Sequence, residues 1–141
     1  MRRYLIDTSV LAAYLFNRET ITDLLSPWIS ARQAATSILV YGEIIEYLRD
    51  RPDFAVHRDQ LRDLLREISP YFLTYAILER YADIRRILRP QGRLIGDIDT
   101  LVAATALERD LTLVTTDTDF QRVQGLKVEL IDRASLETPR R

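Results

Sequence analysis

Tyr4-Leu5-Ile6-Asp7-Thr8-Ser9-Val10-Leu11 opens the chain with three apolar residues, one acid, two hydroxyls and a return to apolar character. Tyr4-Leu5-Ile6 has the length and composition of a short buried strand. The strand ends at Asp7, where Thr8 or Ser9 can cap a helix carrying Leu11, Tyr14 and Leu15 on one face. A strand that runs straight into a helix through an acid and two hydroxyls is the unit from which parallel sheets are built.

The pattern repeats along the chain. Ile21 to Ile29 has Leu24, Leu25 and Trp28 at helical spacing, with Pro27 limiting its regularity. Gln33-Ala34-Ala35 reads as a short strand, and Thr36 or Ser37 caps a helix with Val40, Ile44, Tyr47 and Leu48 on a 3.6-residue period. Pro52 breaks that helix. The next one buries Leu61, Leu64, Leu65 and Ile68, and its solvated face sets Arg58, Arg62 and Arg66 among Asp59, Asp63 and Glu67 for i,i+3 pairing. Tyr71-Phe72-Leu73 reads as a strand. Thr74 then caps a helix with Ile77, Tyr81, Ile84 and Leu88 inward, stopped by Pro90. Gln91 and Gly92 begin a loop to Gly96, Asp97 or Asp99 opens a helix through Leu107, and Leu111 to Thr115 is a strand. Thr116 to Gly125 is a loop or short helix before a last strand, Val128 to Ile131. Alternation of this kind predicts an α/β fold, a three-layer α/β/α sandwich with a central, mostly parallel sheet. One domain spanning residues 1–141 accounts for the length, with Thr138 to Arg141 as a frayed tail.

Composition removes several chemistries. With no cysteine there are no disulfides, thiolate zinc sites or cysteine nucleophiles, which fits a cytoplasmic protein. The one histidine, His57, sits beside Arg58 and Asp59 and reads as a solvated helix residue rather than part of a triad or a histidine metal site. Arg2-Arg3 before an apolar run resembles a signal peptide, but Asp7 interrupts the run, and no stretch approaches the length of a membrane span. Acids number 21 against 20 basic residues, so no global polycation is present. The remaining chemistry belongs to carboxylates, hydroxyls and arginines.

Ligand sites of α/β sheets gather beyond the carboxyl ends of strands. Asp7 follows the first strand there, and Asp117 follows Leu113-Val114-Thr115-Thr116. Asp99 starts a helix entered from a loop on the same edge. Glu43 lies mid-helix beside an apolar stripe, where an acid is costly without compensation. Each aspartate also reads singly as a cap or turn residue, Asp117 and Asp119 with Thr116 and Thr118 included. Capping does not explain Glu43. Four converging acids repel one another, and a hard divalent cation relieves that; ligation by oxygen alone points to Mg²⁺ or Mn²⁺.

Leu5-Ile6-Asp7-Thr8-Ser9-Val10-Leu11, Thr36-Ser37-Ile38-Leu39-Val40-Tyr41-Gly42-Glu43-Ile44, Asp99-Thr100-Leu101-Val102-Ala103-Ala104-Thr105-Ala106 and Leu113-Val114-Thr115-Thr116-Asp117-Thr118-Asp119-Phe120 occur in that order. The series resembles the PIN domain, and within it the single-domain VapC-type toxins, from about Tyr4 to Ile131. The resemblance implies an endoribonuclease that cuts RNA with Mg²⁺ or Mn²⁺ in an acidic pocket. The family's acids fall on Asp7, Glu43, Asp99 and Asp117. Asp119 is the lesser candidate for the fourth, and Asp97 is a candidate outer ligand. Thr8 and Ser9 are placed to bond the ligands or a phosphate. Also implied are a VapB-like antitoxin covering the pocket and a homodimer.

An RNA substrate needs basic flanks. Residues 49–93 hold ten arginines against seven acids, and Arg85, Arg86, Arg89 and Arg93 lead toward the pocket as candidate phosphate contacts. An apolar groove near Trp28, Tyr41 and Tyr47 is a candidate seat for a partner helix, although such aromatics also serve as core. Two other functions have partial signals in the sequence. Gly96-Asp97-Ile98-Asp99 mimics a phosphatase Asp-x-Asp motif but comes too late in the chain. A PIN fold that binds RNA or protein without cutting is the other alternative.

Overall fold

The strands are three or four residues long, and each leads into a helix or 3-10 turn, which produces a sheet with all its connections in the same sense. In a computed structural model describing residues 1–137, β1 (Tyr4–Ile6), β2 (Ala34–Ser37), β3 (Ser69–Tyr71), β4 (Thr112–Thr115) and β5 (Val128–Leu130) pair in the order β3-β2-β1-β4-β5. Every neighbouring pair is parallel. The helices are α1 (Thr8–Leu15), α2 (Glu19–Ser30), α3 (Ile38–Leu48), α4 (Phe54–Leu64), α5 (Tyr75–Leu88) and α6 (Asp97–Glu108), with 3-10 turns at Thr118–Arg122 and Arg133–Leu136. Helices α1 to α4 pack among themselves and α5 packs on α6, as expected when the chain winds outward from β1 to β3 and then crosses to β4. Leu5, Ile6, Ala34, Ala35, Leu113 and Val114 are fully buried between these layers.

The strand order reverses at β1, whose neighbours are β2 and β4. The carboxyl end of the β1–β4 pair is therefore the topological switch point, where a crevice opens above the sheet. Register fixes what stands there. Ile6 lies opposite Val114, and the Asp7 amide donates to the Val114 carbonyl at 3.0 Å.

Local chemistry matches the sequence in several places. Ser37 caps α3 by accepting from the Leu39 amide, and Thr74 caps α5 by accepting from the Ile77 amide. Helix α3 ends at Leu48 ahead of Pro52, and α5 ends at Leu88 ahead of Pro90. Strand β2 continues to Ser37 rather than stopping at Ala35, and β3 lies at 69–71 rather than 71–73. Phe72 and Leu73 stand exposed beyond β3, and Pro70 is accommodated because β3 is an edge strand.

Other expectations need correcting. His57 is mostly covered, bonding Asp53 Oδ2 at 2.8 Å and Gln60 Oε1 at 3.1 Å with its ring against Phe16. The i,i+3 ion pairs of α4 do not form among the described residues. Arg58 pairs with adjacent Asp59, and Arg62 donates to the Tyr41 hydroxyl, a partner on α3 that the helix pattern could not reveal. Trp28, Tyr41 and Tyr47 each have a different partner. Trp28 stacks on Tyr4 at 3.8 Å between centroids, while Tyr47, 64% exposed, meets the edge of Phe16. The tail from Thr138 to Arg141 lies outside the described residues.

Candidate active site

Asp7 occupies the N-cap position of α1, yet its side chain makes no capping bond. The carboxylate, 7% exposed, instead accepts from Thr115 Oγ1 through Oδ2 at 2.7 Å. Thr115 Oγ1 in turn accepts from the Asp117 amide at 3.1 Å. One threonine thus links the acid after β1 to the acid after β4. Burial pushes the Asp7 carboxyl above its ordinary pKa; the bonds from Thr115 and the Thr8 backbone oppose this, and the charges of Glu43 and Asp117 add to it.

Glu43 reaches the same place from the middle of α3, where its Oε1 accepts from the Thr8 hydroxyl. That bond explains how an acid is tolerated beside buried Val40 and Ile44. Ser9 Oγ and Thr116 Oγ1 lie 3.1 Å apart and close the space between α1 and the end of β4. Asp117 caps the following turn, its Oδ1 accepting from the Asp119 amide at 2.9 Å, so the turn function foreseen for it is real.

Asp99 is not a cap. Gly96 holds that position, and Asp99 lies in the first turn of α6, where the helix dipole favours an ionised carboxylate. Its pKa is nevertheless pushed up to about 6, by burial first and then by the charges of Asp7, Asp117, Glu43 and Asp119. Burial and the neighbouring negative charges together outweigh the dipole. Asp7, Thr8, Ser9, Glu43, Asp99, Thr116, Asp117, Arg133 and Leu136 line one open pocket of about 260 Å³.

The two remaining aspartates have other partners. Asp97 Oδ1 accepts from Arg85 at 2.8 Å and from the Tyr81 hydroxyl at 3.1 Å, away from the pocket lining. Asp119 pairs with Arg122 at 3.3 Å. Arg85 is thereby neutralised, which weakens its case as a phosphate contact, whereas Arg86, Arg89 and Arg93 form no ion pair among the described residues. Thr115, Arg133 and Leu136 are site residues that sequence reading missed. Thr115 had a detectable signal, a hydroxyl at the strand end next to Asp7. Nothing in the sequence pointed to the others.

The donor set suits a hard divalent cation, since it consists of carboxylates and hydroxyls whose mutual repulsion a cation relieves. Among the described residues no three acids are already closed around one ion position. A second cavity, between α5 and the turn at 118–122, is lined by Ile84, Ile87, Leu88, Arg80, Asp83 and Arg122 among others, without converging acids.

Fold and site together define a parallel α/β protein with an acidic pocket at its switch point. The model of the PIN domain matches residues 4–126, and the chain belongs to that family. It is 24% identical over 126 residues to Ribonuclease VapC1 of Haemophilus influenzae strains R2866 and 86-028NP, covering 88% of this chain and 94% of theirs. Its fold matches a chain of VapBC2 from Rickettsia felis bound to a DNA fragment from their promoter, with a TM-score of 0.80 and 22% identity over 92% of this chain and 98% of that one. Another match is DNA-bound VapBC from Salmonella typhimurium, with a TM-score of 0.82 and 20% identity over 92% and 98% of the respective chains.

Proposed function

We propose that this protein is a divalent-metal-dependent endoribonuclease hydrolysing RNA phosphodiester bonds, the toxin of a toxin–antitoxin pair. Membership of the PIN domain family and the likeness to Ribonuclease VapC1 support the activity. Likeness to chains of VapBC complexes supports pairing with an antitoxin that covers the pocket. A homodimer and a cytoplasmic setting fit the same assignment, and no described helix is long and apolar enough to cross a membrane.

The observation that carries the proposal is the placement of Asp7. A buried carboxylate at a helix start that declines to cap the helix, and faces three other acids instead, is kept for something other than stability. Asp7 and Asp99 would hold a Mg²⁺ or Mn²⁺ ion, and Asp117 would complete the set. Bound there, the ion supplies positive charge against the phosphate and lowers the pKa of water. Glu43, fixed by Thr8, orients the attacking water and takes its proton. Ser9 and Thr116 offer hydroxyls to the phosphate. Attack by water leaves 5′-phosphate and 3′-hydroxyl ends.

Cleavage of a panel of structured RNAs tests this with Mg²⁺, Mn²⁺ or EDTA. Metal-dependent cutting abolished by both Asp7→Asn and Asp99→Asn is the expected result. A 2′,3′-cyclic phosphate product would refute attack by water. Intact RNA in every condition, with no Mg²⁺ binding by calorimetry, would leave an RNA- or protein-binding module in its place.

A further inference from the structure

One cation lines the acidic pocket. Arg133 begins the 3-10 turn that follows β5, and the segment carrying it is anchored along its length. The Ile131 amide donates to the Thr115 carbonyl at 2.8 Å, prolonging the β4–β5 pairing. Asp132 caps the turn by accepting from the Ala134 amide at 3.1 Å. Leu136 packs against the core, and the turn rests on α1 and α2. Between these anchors Arg133 is exposed, and it forms neither an ion pair nor a side-chain hydrogen bond among the described residues. Other arginines near acids here are paired, such as Arg85 with Asp97 and Arg122 with Asp119.

We infer that Arg133 is a substrate-binding residue that grips the RNA phosphate beside the one to be cut, and so sets the register of the strand over the four carboxylates. This rests on the ribonuclease assignment above. A guanidinium presents a planar fork that matches two phosphate oxygens, and one not already engaged by a carboxylate has that fork free. Its position at the rim suits a flanking phosphate better than the scissile one. A nucleic acid strand carries a phosphate at every nucleotide, so one can sit on Arg133 at the rim while its neighbour lies over the carboxylates. Arg133 lies beyond the residues matched by the family model, which end at 126. The contact is thus supplied by this chain's own C-terminal segment.

The test is binding of a fluorescein-labelled single-stranded oligoribonucleotide to the full chain carrying Asp7→Asn, read by anisotropy over a salt series with Mg²⁺ present. Adding Arg133→Ala should weaken binding about tenfold, the loss of one charge-assisted contact, and reduce the salt slope by about 0.7. Arg133→Lys should keep the slope and recover part of the affinity. Arg66→Ala, which removes an exposed arginine outside the pocket lining, should leave both affinity and slope unchanged. Unchanged affinity and slope in Arg133→Ala, an equal loss in Arg66→Ala, or no RNA binding at all would overturn the inference. So would a loss confined to binding of a protein partner. If the parent chain cuts no RNA yet binds it through Arg133, the contact stands and the nuclease assignment falls.

Discussion

Thr115 and Asp7 are joined across the β1–β4 pair by a buried hydrogen bond of 2.7 Å, and the same hydroxyl oxygen receives the Asp117 amide. The residues are 108 apart in sequence, so the bond exists only when both strands are in register. A site whose acids are tied to the sheet in this way is preorganised by the fold itself.

Thr115→Val keeps the shape of the side chain and removes both interactions. The buried Asp7 carboxylate and the Asp117 amide lose their partner together, which should cost about 1–3 kcal/mol of stability. Asp7 would rise further in pKa, since the largest opposing influence on it is that hydroxyl. Urea unfolding measures the first effect, and a weaker Mg²⁺ isotherm at neutral pH measures the second. A variant as stable as the parent, with an unchanged isotherm, would show that the bond organises nothing.

Asp99 makes the metal-free protein less stable as pH rises. Its folded pKa is raised to about 6 from an ordinary 3.8, so the folded state holds the proton more tightly than the unfolded one. Stability from this group is greatest below about pH 4, declines between about 4 and 6, and stays low above that range. In EDTA, Asp99→Asn should therefore raise the melting temperature at pH 7.5 and leave it little changed at pH 4. Melting curves of the two proteins that run parallel over this range would remove the repulsion argument. Cleavage should be lost in the same variant.

Under the proposed function, protons and the cation would compete for the same carboxylates. Mg²⁺ affinity should fall as pH drops through about 6, where Asp99 takes up its proton. The shift in melting temperature produced by Mg²⁺ should accordingly be large at pH 8 and nearly absent at pH 5. Calorimetric titrations at the two pH values give the same comparison directly, and equal affinity at both would place the ion away from Asp99.

The four acids were legible because a parallel sheet sends its loops to one edge, so Asp7 and Asp117 after apolar strands could be located without coordinates. Glu43 stood out by being out of place beside Val40 and Ile44. In the sequence Thr115 is only part of a strand, because its contact with Asp7 depends on a register that links residues far apart. Arg133 was invisible, since the path of the chain after β5 decides what it faces. Asp97 looked like a ligand by adjacency to Asp99, but two residues along a helix turn a side chain well away, and Arg85 captures it. The misplacement of β3 has a similar origin. Tyr71-Phe72-Leu73 is the more apolar triplet, yet pairing Ser37 with Tyr71 ends the ladder there and leaves Phe72 at 65% exposure.

Arg2 also has a different meaning in the fold from its meaning in the sequence. Its Nη1 donates to the Ala34 carbonyl at 2.7 Å and the Glu67 carbonyl at 2.9 Å, and its Nη2 to Ser69 Oγ at 2.8 Å. One guanidinium thus ties the start of β2 to the start of β3, at the opposite end of the strands from the acidic pocket. Arg2→Ala should cost about 1–3 kcal/mol, because carbonyls that had a charged donor lose it. Arg2→Lys should recover part of this, since an ammonium lacks the planar fork that spans these acceptors. Cleavage per folded molecule should be unchanged in both variants, because every pocket-lining residue keeps its contacts. Urea unfolding beside initial rates measures the two quantities. A fall in rate without a fall in stability would mean that the two ends of the sheet are coupled.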